Sequence, residues 1–540
     1  MNKVMHIVIT TIRNKMFLSF LIVATVFLTI VLSLLPPLFL GRIVDALTLK
    51  KTFPLSLLIA YFLSLVSGFI VLALRDSLLV ICGQKITHCL RSALMNKEIR
   101  LSATSLSRQK SGEMVSRFIS DVDQIELLFT SGIISLIADA LQMISIFIVI
   151  FSKTKGLALL ILIVLPLVFL FTRHVQKKML HAEKQNRDAI AMANACIPET
   201  MENILTIHNL NIESFMEQRY DGCIDKSYQA LNKTNFYDSI YSPVILIINA
   251  VVIALLMCTA SSNNPIILAF FGMSAGNVVT IMNYISQIFS PIESIGMEIQ
   301  TIQAAIASVT RINEFLNRDE KKTYPEVSMN YTETDDVVKA EKISFSYDQK
   351  NILHNFDLAI HKGEHITLSG RTGAGKSTLF KLILGLYEPD KGKILVCNQE
   401  PYRLKDKERR TVFGYVEQKF HPVKGNLKEQ ITLFDSSISD EQVYRALQLT
   451  GLYETVMSFE NGIYAPVKKE MFSQGQWQIL SIVRAIVCDP EILMLDEITS
   501  DLDAISEQQI MHVLSEVSRD RTLISITHRT NAQNGRIITL

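Results

Sequence analysis

Residues 370–378 read Gly370, Arg371, Thr372, Gly373, Ala374, Gly375, Lys376, Ser377 and Thr378, the spacing of a loop that cradles phosphate. An apolar strand candidate precedes it at 366–368, and a helical pattern follows at 379–386. In that context the glycines let backbone N–H groups turn towards phosphate oxygens, assisted by a helix N-terminus. Lys376 would reach the β- and γ-phosphates of a nucleotide, and Ser377 would bind Mg²⁺. Without strand and helix the same residues would be a plain Gly-rich turn. A second apolar strand, 492–495, ends in Asp496 and Glu497. Asp496 could hold the Mg²⁺ shell, and Glu497 could polarise an attacking water. Buried strands often end in acids, so this pair gains weight from the phosphate loop upstream of it.

The elements that position these residues occupy only the second half of a 540-residue chain, which has room for about three or four domains. Lys+Arg is 53 and Asp+Glu 52, a balance that argues against a general nucleic-acid binder. Hydrophobic residues make up 49%, which excludes a disordered chain. The mean hydropathy of +0.27 points to membrane spans. The seven cysteines, at 82, 89, 196, 223, 258, 397 and 488, show neither a disulfide framework nor metal spacing.

Apolar stretches at about 16–41, 52–74, 127–152, 156–172, 241–260 and 266–292 are each read as a membrane span. The first is too long for a cleavable signal peptide. The segment 239–292 carries no Lys, Arg, Asp or Glu and is divided by the turn signal at 261–265. Segments 1–15, 75–126 and 173–238 hold 19 Lys and Arg, against 5 in the alternate segments. That asymmetry places the large segments and both termini in the cytoplasm of a multi-pass cell-membrane protein. The two large segments are rich in helix formers and read as continuations of the spans. Residues 1–14 are amphipathic and read either as a helix on the inner membrane surface or as a frayed tail. The divisions are a membrane domain at 1–316, a polar linker at 317–336 and an α/β domain at 337–540, where short apolar runs alternate with helical patterns.

Just upstream of the acidic strand, Ser473, Gln474, Gly475 and Gln476 follow Met471 and Phe472. This stretch resembles the Leu-Ser-Gly-Gly-Gln signature of ATP-binding cassette (ABC) proteins. The whole chain resembles an ABC exporter half-transporter: six long transmembrane helices followed by a P-loop NTPase domain of ABC type. Gly112–Arg117 with Asp121, then Gly272–Gly276 with Tyr284 and Pro291, and the stretch 307–316 around Arg311 resemble segments of the family's membrane half. The resemblance implies that Tyr347 stacks on adenine and that Gln418 reaches Mg²⁺. It implies that Asp503, in Ser500–Asp503, faces the opposing site and that His528 lies beside the γ-phosphate. It implies two sandwiched ATP molecules, with Ser473 and Gly475 acting in trans, so that a second copy or a related half-transporter completes each site.

Three departures stand out. Gln474 replaces a signature glycine, 465–470 lacks the usual Gly- and Glu-containing loop, and the chain ends soon after His528. Residues 535–540 are read as the domain's last strand. No peptidase domain is expected ahead of a membrane domain that starts almost at residue 1.

The substrate is weakly written. Asp139 is the one charged residue within a span and could bind a cationic group or glue helices. Asn249, Asn277 and Asn283 could line a cavity or join helices. The Phe and Met content of the last two spans suits a hydrophobic or amphipathic substrate such as a peptide, drug or lipid, and suits lipid contact equally. ATP-driven export by alternating access in the lipid bilayer is the leading expectation. A non-transporting subunit that uses nucleotide binding as a switch is the alternative.

Overall fold

A computed structural model describes residues 2–50, 54–107, 109, 111–260, 274–322, 324, 335–347, 350–371, 373–498, 502–527 and 535–540. The chain divides into two compact units, Met1–Arg100 with Gln109–Arg318, and Leu101–Arg108 with Asp319–Leu540.

The first unit is helical. Five helices among the described residues are long and apolar enough to cross a membrane: Met16–Thr48, Leu55–Arg100, Gly112–Lys153, Ala158–Glu202 and Glu213–Ala260. Of the sixth expected span, 266–292, residues 266–273 lie outside the described residues, and the helix Ala275–Leu316 carries nearly all of the rest. Helices of 46–48 residues are about 70 Å long at 1.5 Å per residue, far more than the roughly 30 Å of a hydrocarbon core. The surplus lies in the charged segments 75–100 and 173–238, as their composition anticipates. Pro198 and Gly222 sit inside helices there. Phe17, Phe20, Phe62, Phe69, Leu167 and Leu170 point outward from the apolar stretches, the surface that lipid rather than water would cover.

With no hydrophobic drive inside a bilayer, close packing and polar contacts must join the helices. Met16–Thr48 meets Ala275–Leu316 at two glycines. A Cβ on Gly276 would stand 1.9 Å from the Gly41 carbonyl oxygen, and one on Gly41 2.7 Å from that of Gly276. Around this approach Thr280 Oγ1 donates to the Pro37 carbonyl (2.9 Å) and Tyr284 to that of Leu34 (2.7 Å). Asp45 accepts from the Gly276 amide (2.7 Å) and from Ser274 (3.1 Å). Asn277 accepts from Lys153 (3.3 Å), and Asn283 donates to the Val279 carbonyl of its own helix (2.9 Å). Asn249 keeps a buried, unpartnered amide oxygen. Asp139 is half-buried with Arg75 as its charged neighbour, so part of its charge is answered within the chain.

Two motifs far apart in sequence meet at the charged end of this unit. Asp121, 3% exposed, accepts from Arg311 Nε at 3.0 and 3.1 Å and from Ser308 at 3.0 Å. Arg117 and Arg318 both lie against the ring of Phe315, 5.5 and 5.8 Å from its centre. The N-terminal helix Lys3–Asn14 is docked alongside. Val4 and Val8 are buried, the Val4 amide donates to Asn313 Oδ1 (3.0 Å), and Lys3 Nζ donates to the Leu316 carbonyl (2.7 Å). It is thus neither a frayed tail nor free of the protein. Removing Asp121 leaves Arg311 and Ser308 facing a buried gap. Asp121→Ala should destabilise the unit by about 1–3 kcal/mol, read as a lower thermal midpoint in detergent, and Asp121→Asn should lose less.

The second unit holds two sheets. The antiparallel one runs β2-β1-β4, with β1 Asp336–Tyr347, β2 Lys350–His361 and β4 Lys391–Val396. The parallel one runs β5-β6-β7-β3-β8, with β3 His365–Ser369, β5 Phe413–Val416, β6 Ile492–Asp496, β7 Thr522–Ile526 and β8 Arg536–Thr539. Ile366, Leu368, Ile492, Leu493, Met494 and Ile524 are fully buried, as continuous apolar runs in a helix-covered parallel sheet should be.

Candidate active site

In a parallel sheet all strands end on one edge, and ligands collect there. The order β5-β6-β7-β3 therefore gathers four segments distant in sequence. Gln418 follows β5, Asp496 closes β6 with Glu497 after it, Thr527 follows β7, and the glycine loop follows β3. Neighbouring strands are about 4.8 Å apart, so the chain ends lie within reach of one small ligand. Thr372, Ser500 and His528 lie outside the described residues.

The glycine loop needs its glycines. Gly370, Gly373 and Gly375 have φ of 147°, 86° and 103°. A Cβ on Gly375 would press on Ile352 and Leu353 at 3.0 and 3.2 Å. Gly375 also opens the helix Lys376–Ile383 without a side-chain cap, which leaves its first amides to a ligand. Lys376 is 6% exposed, and its ammonium donates to the carbonyls of Gly370 (2.8 Å) and Arg371 (3.2 Å). Carbonyl dipoles alone leave a buried positive charge unneutralised, so an anion such as a phosphate fits here. Arg371, Gly373 and Ser377 are exposed, Ala374 is partly so, and Thr378 is buried.

The acids sit opposite. Tyr415 donates to Asp496 Oδ2 (3.2 Å). Burial above all, and then the charge of Glu497, push the Asp496 carboxyl above the usual carboxylate range. A cation would relieve that penalty, so Asp496 with Ser377 and Gln418 fits a divalent ion. Glu497 has a left-handed backbone (φ 50°), and its amide donates to the Ile526 carbonyl (3.1 Å). Such a conformation in a residue with a side chain stores about 1–3 kcal/mol and tends to mark functional positions. Tyr347 is half-buried, with ring contacts to Phe345 at 5.0 Å and Tyr387 at 5.6 Å, and Thr378 of the loop neighbours its hydroxyl. The ring therefore lies beside the phosphate cradle.

Ser473 caps the helix Gln474–Ile486. Its Oγ accepts from the Gln476 amide (3.2 Å), and Gln476 Oε1 accepts from the Ser473 amide (2.9 Å). Ser473 and Gln474 remain exposed at the helix tip. Gly475 lies against Ser506, where a Cβ would come within 2.9 Å of the hydroxyl. Asp503 caps the helix Ala504–Val517, accepting from the amides of Ile505 (3.0 Å) and Ser506 (2.9 Å), and these bonds hold its carboxyl below the usual range.

Sequence reasoning misses the residues that tie Gln418 to this helix. Gln478 Nε2 donates to the Glu417 carbonyl (3.0 Å), Trp477 stacks on Phe420 (5.1 Å), and Arg484 lies 4.1 Å above the Phe420 ring. The chain's single Trp, two residues past Gly475, is the one signal that points to them.

Residues 19–292 match the family described as ABC transporter transmembrane region, and residues 353–500 the one described as ABC transporter. The chain belongs to the ABC transporter family and is an ATPase coupled to transmembrane transport, with an ATP-binding domain fused to helical membrane spans. It is 27% identical to the "Uncharacterized ABC transporter ATP-binding protein YknV" of Bacillus subtilis, over 85% of this chain and 76% of that one. It is 25% identical to an "ATP-dependent lipid A-core flippase" of Francisella novicida, over 83% and 76%. Its fold matches a bacterial Atm1-family ABC exporter with ATP bound, at TM-score 0.75 and 22% identity, over 96% of this chain and 92% of that one.

A carboxyl harder to ionise in the folded chain than in the unfolded one favours the fold at low pH. That contribution is lost as pH rises through the folded pKa. Asp496→Asn should therefore raise the thermal midpoint of the nucleotide-free protein at neutral pH. It should also flatten the fall in midpoint on going up from about pH 4. ATP turnover of the same variant should drop by more than about tenfold, equivalent to about 1.4 kcal/mol.

Proposed function

We propose that this chain, as a dimer of two copies or with a related half-transporter, drives a hydrophobic or amphipathic substrate out across the cell membrane by alternating access. The observation that carries the reading is the meeting of Lys376, Asp496, Glu497 and Gln418 at one sheet edge, in a chain that also carries membrane spans. The lipid A-core flippase named above supports a lipid or another amphipath as cargo. So does the "Putative multidrug export ATP-binding/permease protein YgaD" of Bacillus subtilis, 24% identical over 83% of this chain and 76% of that one.

In this reading the glycine-loop residues Gly370–Thr378 and the ammonium of Lys376 hold the triphosphate, and Tyr347 takes the adenine. Ser377, Gln418 and Asp496 would hold Mg²⁺, which would supply charge neutralisation for the phosphates. Glu497 accepts the proton of a water aligned with the terminal phosphorus, and His528 steadies the γ-phosphate. Ser473, Gln474, Gly475, Gln476 and Asp503 face the nucleotide of the partner. The Ser473 hydroxyl suits this, because its oxygen accepts the helix amide while its proton is left to donate outward. Both termini lie in the cytoplasm, on the side of the Lys- and Arg-rich segments.

The test is Mg²⁺-ATPase activity of the purified chain in lipid nanodiscs beside Glu497→Gln. Wild-type turnover that the substitution reduces at least about 100-fold, within the range for loss of a general base, is the expected result. Unchanged turnover in the variant would remove Glu497 from the chemistry. An inactive, folded wild type would exclude the homodimer and call for a partner chain.

A further inference from the structure

The antiparallel helices Lys155–Glu202 and Glu213–Ala260 place two cysteines opposite each other. Their register is fixed by a series of polar pairs. Thr172 bonds Tyr241 (3.3 Å), Ser227 donates to Asn186 (3.0 Å), and Arg219 forks onto Glu199 at 3.0 and 3.2 Å. As numbers rise on one helix they fall on the other, which sets Cys196 opposite Cys223. Cys223 is the neighbour whose side chain acts on the Cys196 thiol. The seam beside them is built from buried Ala182, Ala189, Ala193 and Ala230, and small side chains let helix backbones come close. A disulfide needs Cα atoms within about 7 Å, a separation that only such a seam permits. Pro198 loosens the ladder next to Cys196 by removing one backbone donor. Cys196 is buried, whereas Cys223 is partly exposed.

We propose that Cys196 and Cys223 form a dithiol site which a small-molecule disulfide converts into an intrachain disulfide, stapling the two helices. The partly exposed Cys223 loses its proton and attacks one sulfur of the small disulfide. One small thiolate leaves and takes up that proton. Cys196 then gives up its proton and attacks Cys223 sulfur in the mixed disulfide, and the second small thiolate leaves protonated. Two protein thiols are oxidised, and one small disulfide is reduced to two thiols. Burial pushes the Cys196 thiol up, which makes the second step the slow one. A strongly reducing thiol pool keeps the site open, and a rise in small-molecule disulfide closes it. The inference is independent of the cargo and of the catalytic assignments.

The experiment uses the full chain in detergent, treated with glutathione disulfide and digested without reduction. The expected result is a peptide pair joined through Cys196 and Cys223, with a loss of about two of the seven thiols and recovery in dithiothreitol. Cys223→Ser and, separately, Cys196→Ala should abolish the link while far-UV circular dichroism and elution volume stay unchanged. Glutathione retained on Cys223 with no link would overturn the proposal. So would a link between two copies, seen as a doubled mass, or failure of either thiol to react in folded protein.

Discussion

Every strand of a parallel sheet runs the same way, so every strand finishes on the same edge. That constraint decides where chemistry can be placed in the second unit. Residues 370–371, 373–377, 418 and 496–497 are far apart along the chain. They become neighbours because β3, β5 and β6 end together, with β7 between β6 and β3. The rest of the unit serves this edge. Fully buried strands fix the height of each chain end, and the helices capped at Ser473 and Asp503 carry the chain back to the opposite edge for the next strand. The edge also stores unfavourable energy, in the buried ammonium of Lys376, the half-buried carboxyl of Asp496 and the left-handed backbone of Glu497. Groups held this way are ready for a charged ligand and are unrewarded without one.

The membrane unit rests on a different economy. Lipid gives its helices no hydrophobic reason to associate, so contact is made where side chains are small. Gly41 and Gly276 bring two helices together, and Thr280 and Tyr284 can then reach main-chain carbonyls across the gap. Beyond the membrane, charge takes over. Asp121 with Arg311 and Glu199 with Arg219 pair helices that water would otherwise separate.

Features made by residues close together in the chain are legible in the amino-acid sequence itself. The glycine loop, the apolar strand ahead of Asp496 and the alternation of strand and helix are local patterns, and each appears near its expected place. The long helices are legible too, because 173–238 offers little to break them, and the breaks fall at Asn203 and at the left-handed Asn211. The cap at Ser473 is also local, written as Ser-x-x-Gln, although its resemblance to a family signature draws attention away from its role as a helix start. Other features are set by tertiary packing. Nothing in sequence says that Asp121 meets Arg311, 190 residues away, or that Gln478 meets the Glu417 carbonyl. The αL backbone of Glu497 is equally unwritten in its residue type. The docking of residues 3–14 is hidden for the same reason, since an amphipathic pattern says that an apolar face is covered but not by what.

That docking bears on biosynthesis. The bond from Lys3 to the Leu316 carbonyl spans 313 residues. At about 5–20 residues per second, the amino-terminal helix leaves the ribosome roughly 15–60 s before its acceptor exists. During that interval its apolar stripe of Val4 and Val8 has no protein surface to rest on. The nascent chain must therefore shelter it elsewhere, in a chaperone or at the lipid headgroups, and release it when the last membrane helix arrives.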